Sequence, residues 1–498
     1  MTNKRHAKHY EKWVNIYNWD TCNTDRELYG KFLLSIITTD KSGSVFNLNG
    51  SWGTGKTELL KRLYVEISEN RHPVIYIDAW SSDFIKDPLT VISSELLTQL
   101  SFILEEHKEV LDNDIKSAFG KLISGIGKIA RVGKPVLDLA NLASGESIET
   151  QGLSHISELI NLTSDSIPQG QSALETNSRV INMISQNQLL TDGMDEVRAQ
   201  VSTISGILEH VYELNIPIII LIDELDRCRP DYAVKVLETV KHFFSVKGCT
   251  FLIATDTTEL THSIKAVYGS GFNAEKYLNR FFTNRITLEK PSILNYIKSK
   301  EIDFSKYNIE EGFNLTPLFL SNDFYTLFLS SLLSHPELSL RDIDQIIAKI
   351  VQSINYCYKY RPKNVKQINF IAISFGVLHH HINQNLFDKH GDARVDVNLF
   401  INDNHLNTLL EIFMGLVFTV EAKKIYRGSS IRTYTHPQET LHFMSSSLTN
   451  TQRHCIDQLD LGSSIEQALS NYESTEGEGS YWLWPDYKKL INLSGYIN

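Results

Sequence analysis

Two rhythms of apolar and polar positions run along the chain. In the first, short apolar runs alternate with longer segments of helical spacing. Ser44–Gly50, SVFNLNG, is a short β-type run. KTELLKRLYVEI follows and repeats Leu59, Leu60, Leu63 and Ile67 at helical intervals. Pro73–Trp80 (PVIYIDAW) and Cys249–Asp256 (CTFLIATD) read as further strands that end in polar residues. Ile216–Ile222 is a near-continuous β-branched run, the pattern of a central parallel strand covered on both faces. Beyond Pro291 the chain is mostly helical by pattern, in DFYTLFLSSLLSH, RDIDQIIAKIVQSINYCYKY and HLNTLLEIFMGLVFTVEAKKI. No repeat of fixed length is visible. SHISELINLTSDSIPQGQSALETNSRVINMISQNQ is rich in Ser, Asn and Gln and reads as polar helices and loops.

Composition narrows the class. The chain has 498 residues, enough for two or more domains with a real core, and 42% apolar and 21% charged residues suit a soluble globular protein. Phe119–Ala143 is the most apolar long segment, but Lys121, Lys128, Arg131 and Lys134 interrupt it. A bilayer span needs roughly 20 mostly apolar residues, so an amphipathic helix is expected here and no transmembrane segment. The basic start, MTNKRHAKHYEKW, has no apolar segment behind it and does not read as a signal peptide. Five scattered cysteines, with no CxxC pair, suit a reducing, cytoplasmic setting. The net charge of −11 argues against nonspecific coating of nucleic acid. His379, His380 and His381 are consecutive, so they point in different directions on a helix and make a poor shared metal site. SYWLWPDYKKL, Ser480–Leu490, is expected to pack back on the helical region, with a docking motif as the alternative.

The candidate chemistry lies between the first strand and the first helix. Gly50, Ser51, Trp52, Gly53, Thr54, Gly55, Lys56 and Thr57 match GxxxxGK[ST], with Glu58 next in the helix. Glycines let backbone N–H groups curl round a polyphosphate without Cβ clashes. The helix N-terminus adds its dipole and free amides. Lys56 can reach the β- and γ-phosphates of ATP, and the Thr57 hydroxyl can sit on Mg2+. Such a loop needs a carboxylate for the metal and a base for the attacking water, both at the end of another buried strand. The Ile216–Ile222 run ends in Asp223 and Glu224. Asp223 is expected on the magnesium shell and Glu224 as the base. Asp226 and Arg227 follow, either paired with each other or with the loop of a neighbouring strand. Thr255 or Asp256 could sense the γ-phosphate, since open α/β sheets bind ligands at the carboxyl ends of strands; a helix cap is the alternative.

Five blocks resemble, in order, the KAP family of P-loop NTPases: GSWGTGKT, DAWSSDFIKDPLTVISSELLTQL, LIDELDRCRPDYAVKVLETVKHFF, LIATDTTELTHSIKAVYG and YLNRFFTNRITLEKP. The resemblance covers residues 30–100 and 200–290, with a looser echo to 370. It implies a three-layer α/β core with a parallel sheet, of the additional-strand, catalytic-glutamate class. It implies an insertion between the first and second motifs, here Ser101 to Ala199. Many members carry membrane helices there; this chain does not. Some members have two aspartates where this chain has Asp223 and Glu224. Arg280 is similar in position to the arginine finger of related ring-forming ATPases, with Arg285 as the alternative. Arg341, at the start of an amphipathic helix, is similar to a sensor-2 arginine on a helical lid.

The expected organisation is therefore a core at 1–100 and 200–290, a helical and polar insertion at 101–199, and a helical lid and accessory region at 291–498. The resemblance implies Mg2+-dependent ATP hydrolysis that drives a conformational or assembly switch. Stand-alone members act in bacterial antiviral defence beside effector subunits, so a homo-oligomer or an effector protein is the expected partner. Two other readings stay open. A nucleic-acid motor or sensor would need a basic path, for which KHYEKW and RPKNVKQ (Arg361–Gln367) are thin support. A scaffold would bind nucleotide with little turnover.

Overall fold

The computed structural model describes residues 8–105 (86 excepted), 113–132, 177–308, 313–316, 322–389 (336, 364 and 366 excepted), 410, 414, 417, 423–427, 430–434 and 482–495. The chain forms two compact units, Met1–Lys290 and Pro291–Asn498. In the first, a single-turn helix Tyr10–Trp13 (α1) precedes α2 (Glu27–Thr39), β1 (Val45–Asn49), α3 (Lys56–Glu69), β2 (Val74–Asp78), α4 (Pro88–Glu105) and α5 (Asn113–Val132). Then come α6 (Asn177–His210), β3 (Ile218–Asp223), α7 (Pro230–Thr239), β4 (Cys249–Thr255), α8 (Thr257–Tyr268), α9 (Ala274–Leu278) and β5 (Asn284–Thr287).

The five strands form one parallel sheet in the order β2-β3-β4-β1-β5. Thus β4 is inserted between the phosphate-loop strand β1 and the acid-bearing strand β3, which is the additional strand of this class of core. Every residue of β3 and β4 is buried, as their unbroken apolar runs require of central strands with helices on both faces. β5 is short and mostly exposed, and its polar Asn-Arg-Ile-Thr sequence blunts that edge of the sheet. Register brings the strand ends together. Asp78 stands opposite Asp223, and Asn49 is opposite both Thr255 and Thr287.

The insertion begins and ends in helices that continue into the core. α4 runs past residue 100 and α6 passes unbroken through 199–200, so neither expected boundary coincides with the end of an element. α5 is the amphipathic helix expected near Phe119, with Ile115, Phe119, Leu122 and Ile126 buried. It packs along α6 where two glycines meet: a Cβ on Gly193 would lie 3.0 Å from the Gly125 carbonyl oxygen. Most of the Ser/Asn/Gln-rich segment, and the continuation of Phe119–Ala143 past 132, lie outside the described residues. No described helix is long and apolar enough to cross a membrane.

The second unit is mostly helical where described. It holds α10 (Ile293–Lys298), α11 (Asn322–Leu332), α12 (Leu340–Tyr360), α13 (Phe370–Ile382), α14 (Gln384–Lys389) and α15 (Trp484–Gly495). Two short strands, β6 (Asn314–Thr316) and β7 (Gln367–Asn369), pair in parallel. Trp484 and Tyr487 are buried in this unit's core, and the Asn369 backbone N–H donates to the Tyr487 hydroxyl at 2.7 Å. Trp484, Tyr487 and Leu490 of the C-terminal aromatic stretch are thus packed, while Ser480 and Tyr481 lie outside the described residues.

Candidate functional site

The loop after β1 is shaped by backbone that only certain residues accept. Gly53 (φ +74°) and Gly55 (φ +87°) both lie in the left-handed region, where a side chain is strained. Gly55 caps α3, so the free amides of that helix open directly onto the loop. A Cβ on Gly50 would lie 2.8 Å from the Thr54 hydroxyl oxygen. The loop is tied down at its start, where the Gly50 N–H donates to the Thr255 carbonyl at 3.2 Å. Ser51, Trp52 and Gly53 are exposed at its crest, while Thr54 and Lys56 are buried.

Lys56 opens α3 and folds over the loop, donating to the carbonyls of Gly50 and Ser51. Burial holds its ammonium below the ordinary lysine pKa, opposed by the carboxylates of Asp226, Asp256 and Asp223. Thr57 follows, and its hydroxyl is among the groups that oppose the rise of the Asp223 carboxyl pKa. Glu58 is turned to the flank of α3, where Arg62 pairs with it at 2.8 Å.

Asp223 ends β3 and is 1% exposed. Burial raises its carboxyl pKa, opposed by hydrogen bonds from the Tyr76 hydroxyl (2.8 Å), Thr57 and the Glu224 amide (2.9 Å). Tyr76 comes from β2, next to β3, and the reading of the sequence did not single it out. Glu224 sits just past the strand at φ +58°, a left-handed conformation rare for a residue with a side chain. Burial also raises the Glu224 carboxyl above the ordinary range, and the Arg227 guanidinium, 2.8 Å away, opposes the shift.

Two pairs of alternatives are narrowed. Asp226 and Arg227 do not pair with each other. They lie in one 3-10 turn and reach opposite ways: Arg227 takes Glu224 and lies 5.9 Å from the centre of the Trp80 ring, while Asp226 accepts from the Trp52 indole N–H at 2.6 Å. Asp256 caps α8, accepting from the Thr258 N–H at 3.0 Å, and the Thr255 hydroxyl contacts the Asp256 carbonyl at 3.4 Å. Arg280 follows α9 and Arg285 lies in the edge strand β5; both are exposed. Arg341 is the second residue of α12, in the second unit, beside a capping box of Ser339 and Asp342. His379 is buried, and His381 contacts Asp342 at 3.4 Å. No group of three or more His, Cys, Asp or Glu side chains among the described residues could hold a metal by itself.

The sequence reading also missed Arg26. This arginine is 7% exposed and donates to two backbone carbonyls, that of Thr54 in the loop at 2.6 Å and that of Glu289 at 2.5 Å. Burial lowers its pKa, and Glu58 opposes that shift. Local sequence could not reveal it, because the Glu289 partner lies 263 residues away along the chain.

A glycine-shaped loop opening a helix, a lysine folded over it, and acids at the end of the second strand along define a P-loop NTPase domain, a nucleotide-binding scaffold. The sheet order places it in the additional-strand class. The chain belongs to the KAP family: the model of the KAP family P-loop domain matches residues 26–357. No curated protein matches it.

Proposed function

We propose that the protein is a Mg2+-dependent ATPase whose turnover drives a change of conformation or assembly. The observation that carries this reading is the buried Asp223 at the end of β3, directly before Glu224, together with Lys56 folded over the glycine loop. Three features fit a triphosphate and its cation: the loop amides freed by left-handed Gly53 and Gly55, the buried Lys56 ammonium, and a buried Asp226 carboxylate oxygen with no hydrogen-bond partner among the described residues. In this reading the loop amides and Lys56 hold the phosphate chain. Thr57 and Asp223 hold the cation and its waters. Bound magnesium would supply charge neutralisation at the phosphates. Glu224 accepts the proton of the attacking water. The raised pKa of Glu224 suits that role, since a base works best near the operating pH.

Arg280 is assigned to a neighbouring subunit's nucleotide, as its exposure near the end of the first unit allows. The partner is a second copy of the chain or an effector protein, as in defence-associated members of the family. Calorimetry of ATP binding to wild type and Lys56→Ala tests the site. Binding by the wild type and its loss in the variant is expected; equal affinity for both rules the site out.

A further inference from the structure

We propose that Asp226 is a further carboxylate of the cation site, acting on magnesium-bound water and held in place by Trp52. This rests on the nucleotide site described above. Asp226 is 8% exposed, and its two oxygens are in unlike situations. One accepts from the Trp52 indole N–H at 2.6 Å, and the other is buried with no hydrogen-bond partner among the described residues. Leaving a buried acceptor unpaired costs on the order of 1–3 kcal/mol, and more for a charged group, so such atoms are rare unless a ligand completes them.

Asp226 lies against the glycine loop, because its partner Trp52 belongs to that loop. Yet the Lys56 ammonium donates to the Gly50 and Ser51 carbonyls, not to Asp226. The missing partner is therefore a further donor. Water on a divalent cation is a strong donor, and a cation held through water needs no cage of three protein ligands, in keeping with the described residues. Trp52 sets the geometry. It is 53% exposed at the loop crest, and its indole N–H reaches Asp226. The pair joins the loop to the turn after β3 across 174 residues of sequence.

The test separates metal from nucleotide. ATP binding is measured by calorimetry without metal and across a magnesium titration, for wild type, Asp226→Asn and Trp52→Phe. Asn has the same shape and still accepts from Trp52, but carries no charge. The expected result is a magnesium half-saturation raised at least about tenfold in Asp226→Asn, the scale of lost outer-sphere carboxylates, with metal-free ATP affinity within about twofold of wild type. Trp52→Phe keeps the ring but frees Asp226, and a smaller rise of about threefold or more is expected. If Asp226→Asn changes metal-free affinity and leaves the magnesium dependence alone, Asp226 serves Lys56 and the proposal falls. Should Asp226→Asn fail to fold, an unchanged magnesium dependence in Trp52→Phe overturns it. Wild type that binds no ATP would instead remove the nucleotide site itself.

Discussion

Glu224 combines three constraints: a left-handed backbone, partial burial and an ion pair with Arg227 at 2.8 Å. Their balance predicts a pH profile. Burial raises the Glu224 pKa, so the proposed base would be lost on acidification at a pH above the ordinary glutamate value of about 4.3. The acidic limb of kcat/KM, which reports the free enzyme, should therefore lie above that value. Arg227 opposes the rise, so Arg227→Ala should move the limb to still higher pH. A limb that stays in place, or moves down, contradicts this electrostatic account. Arg26 makes a second prediction at the same scale. Arg26→Met keeps the stem but strands the Thr54 and Glu289 carbonyls. Loss of about 1–3 kcal/mol is expected in urea denaturation, the range for buried groups left unpaired.

Among the elements, the two glycines of α6 make a matched pair. A Cβ at Gly206 meets nothing within 4 Å, whereas one at Gly193 meets Ile129 at 2.8 Å and the Gly125 carbonyl at 3.0 Å. Gly206→Ala should stabilise by up to about 1 kcal/mol through helix propensity. Gly193→Leu should destabilise by roughly 1–3 kcal/mol, because the opposing atom is backbone and cannot rotate away. Opposite shifts of the denaturation midpoint are the expected result; shifts of the same sign would mean that α5 and α6 do not pack this way in solution. Legibility in the sequence follows the same division between local and distant causes. β1 to β4 could be read because an apolar run and its flanking helix are neighbours in sequence. The loop glycines, Lys56, Thr57 and the Asp223–Glu224 pair could be read because their spacing is itself the chemistry. Tyr76, the Trp52–Asp226 bond and Arg26 could not, since each depends on which strand lies beside which. Asp256 was legible only as two alternatives, and the described hydrogen bond makes it a helix cap.

For the molecule as a whole, the proposed trans role of Arg280 ties turnover to assembly. Arg280→Ala should keep near wild-type ATP affinity and lose most turnover, since a finger supplies roughly 10³–10⁵ in rate in related enzymes. Mixing it with Lys56→Ala should restore some activity, because one interface then joins a sound pocket to a sound finger. A mixture that stays inactive while both variants assemble would reject the trans geometry and turn attention to Arg285. The most direct measurement for the account is single-turnover release of the γ-phosphate from Mg2+-ATP, comparing wild type with Glu224→Gln. The account predicts that the variant binds ATP as tightly as wild type and releases phosphate at least about 10²-fold more slowly, the scale of a lost general base. Release within a few-fold of wild type would contradict it.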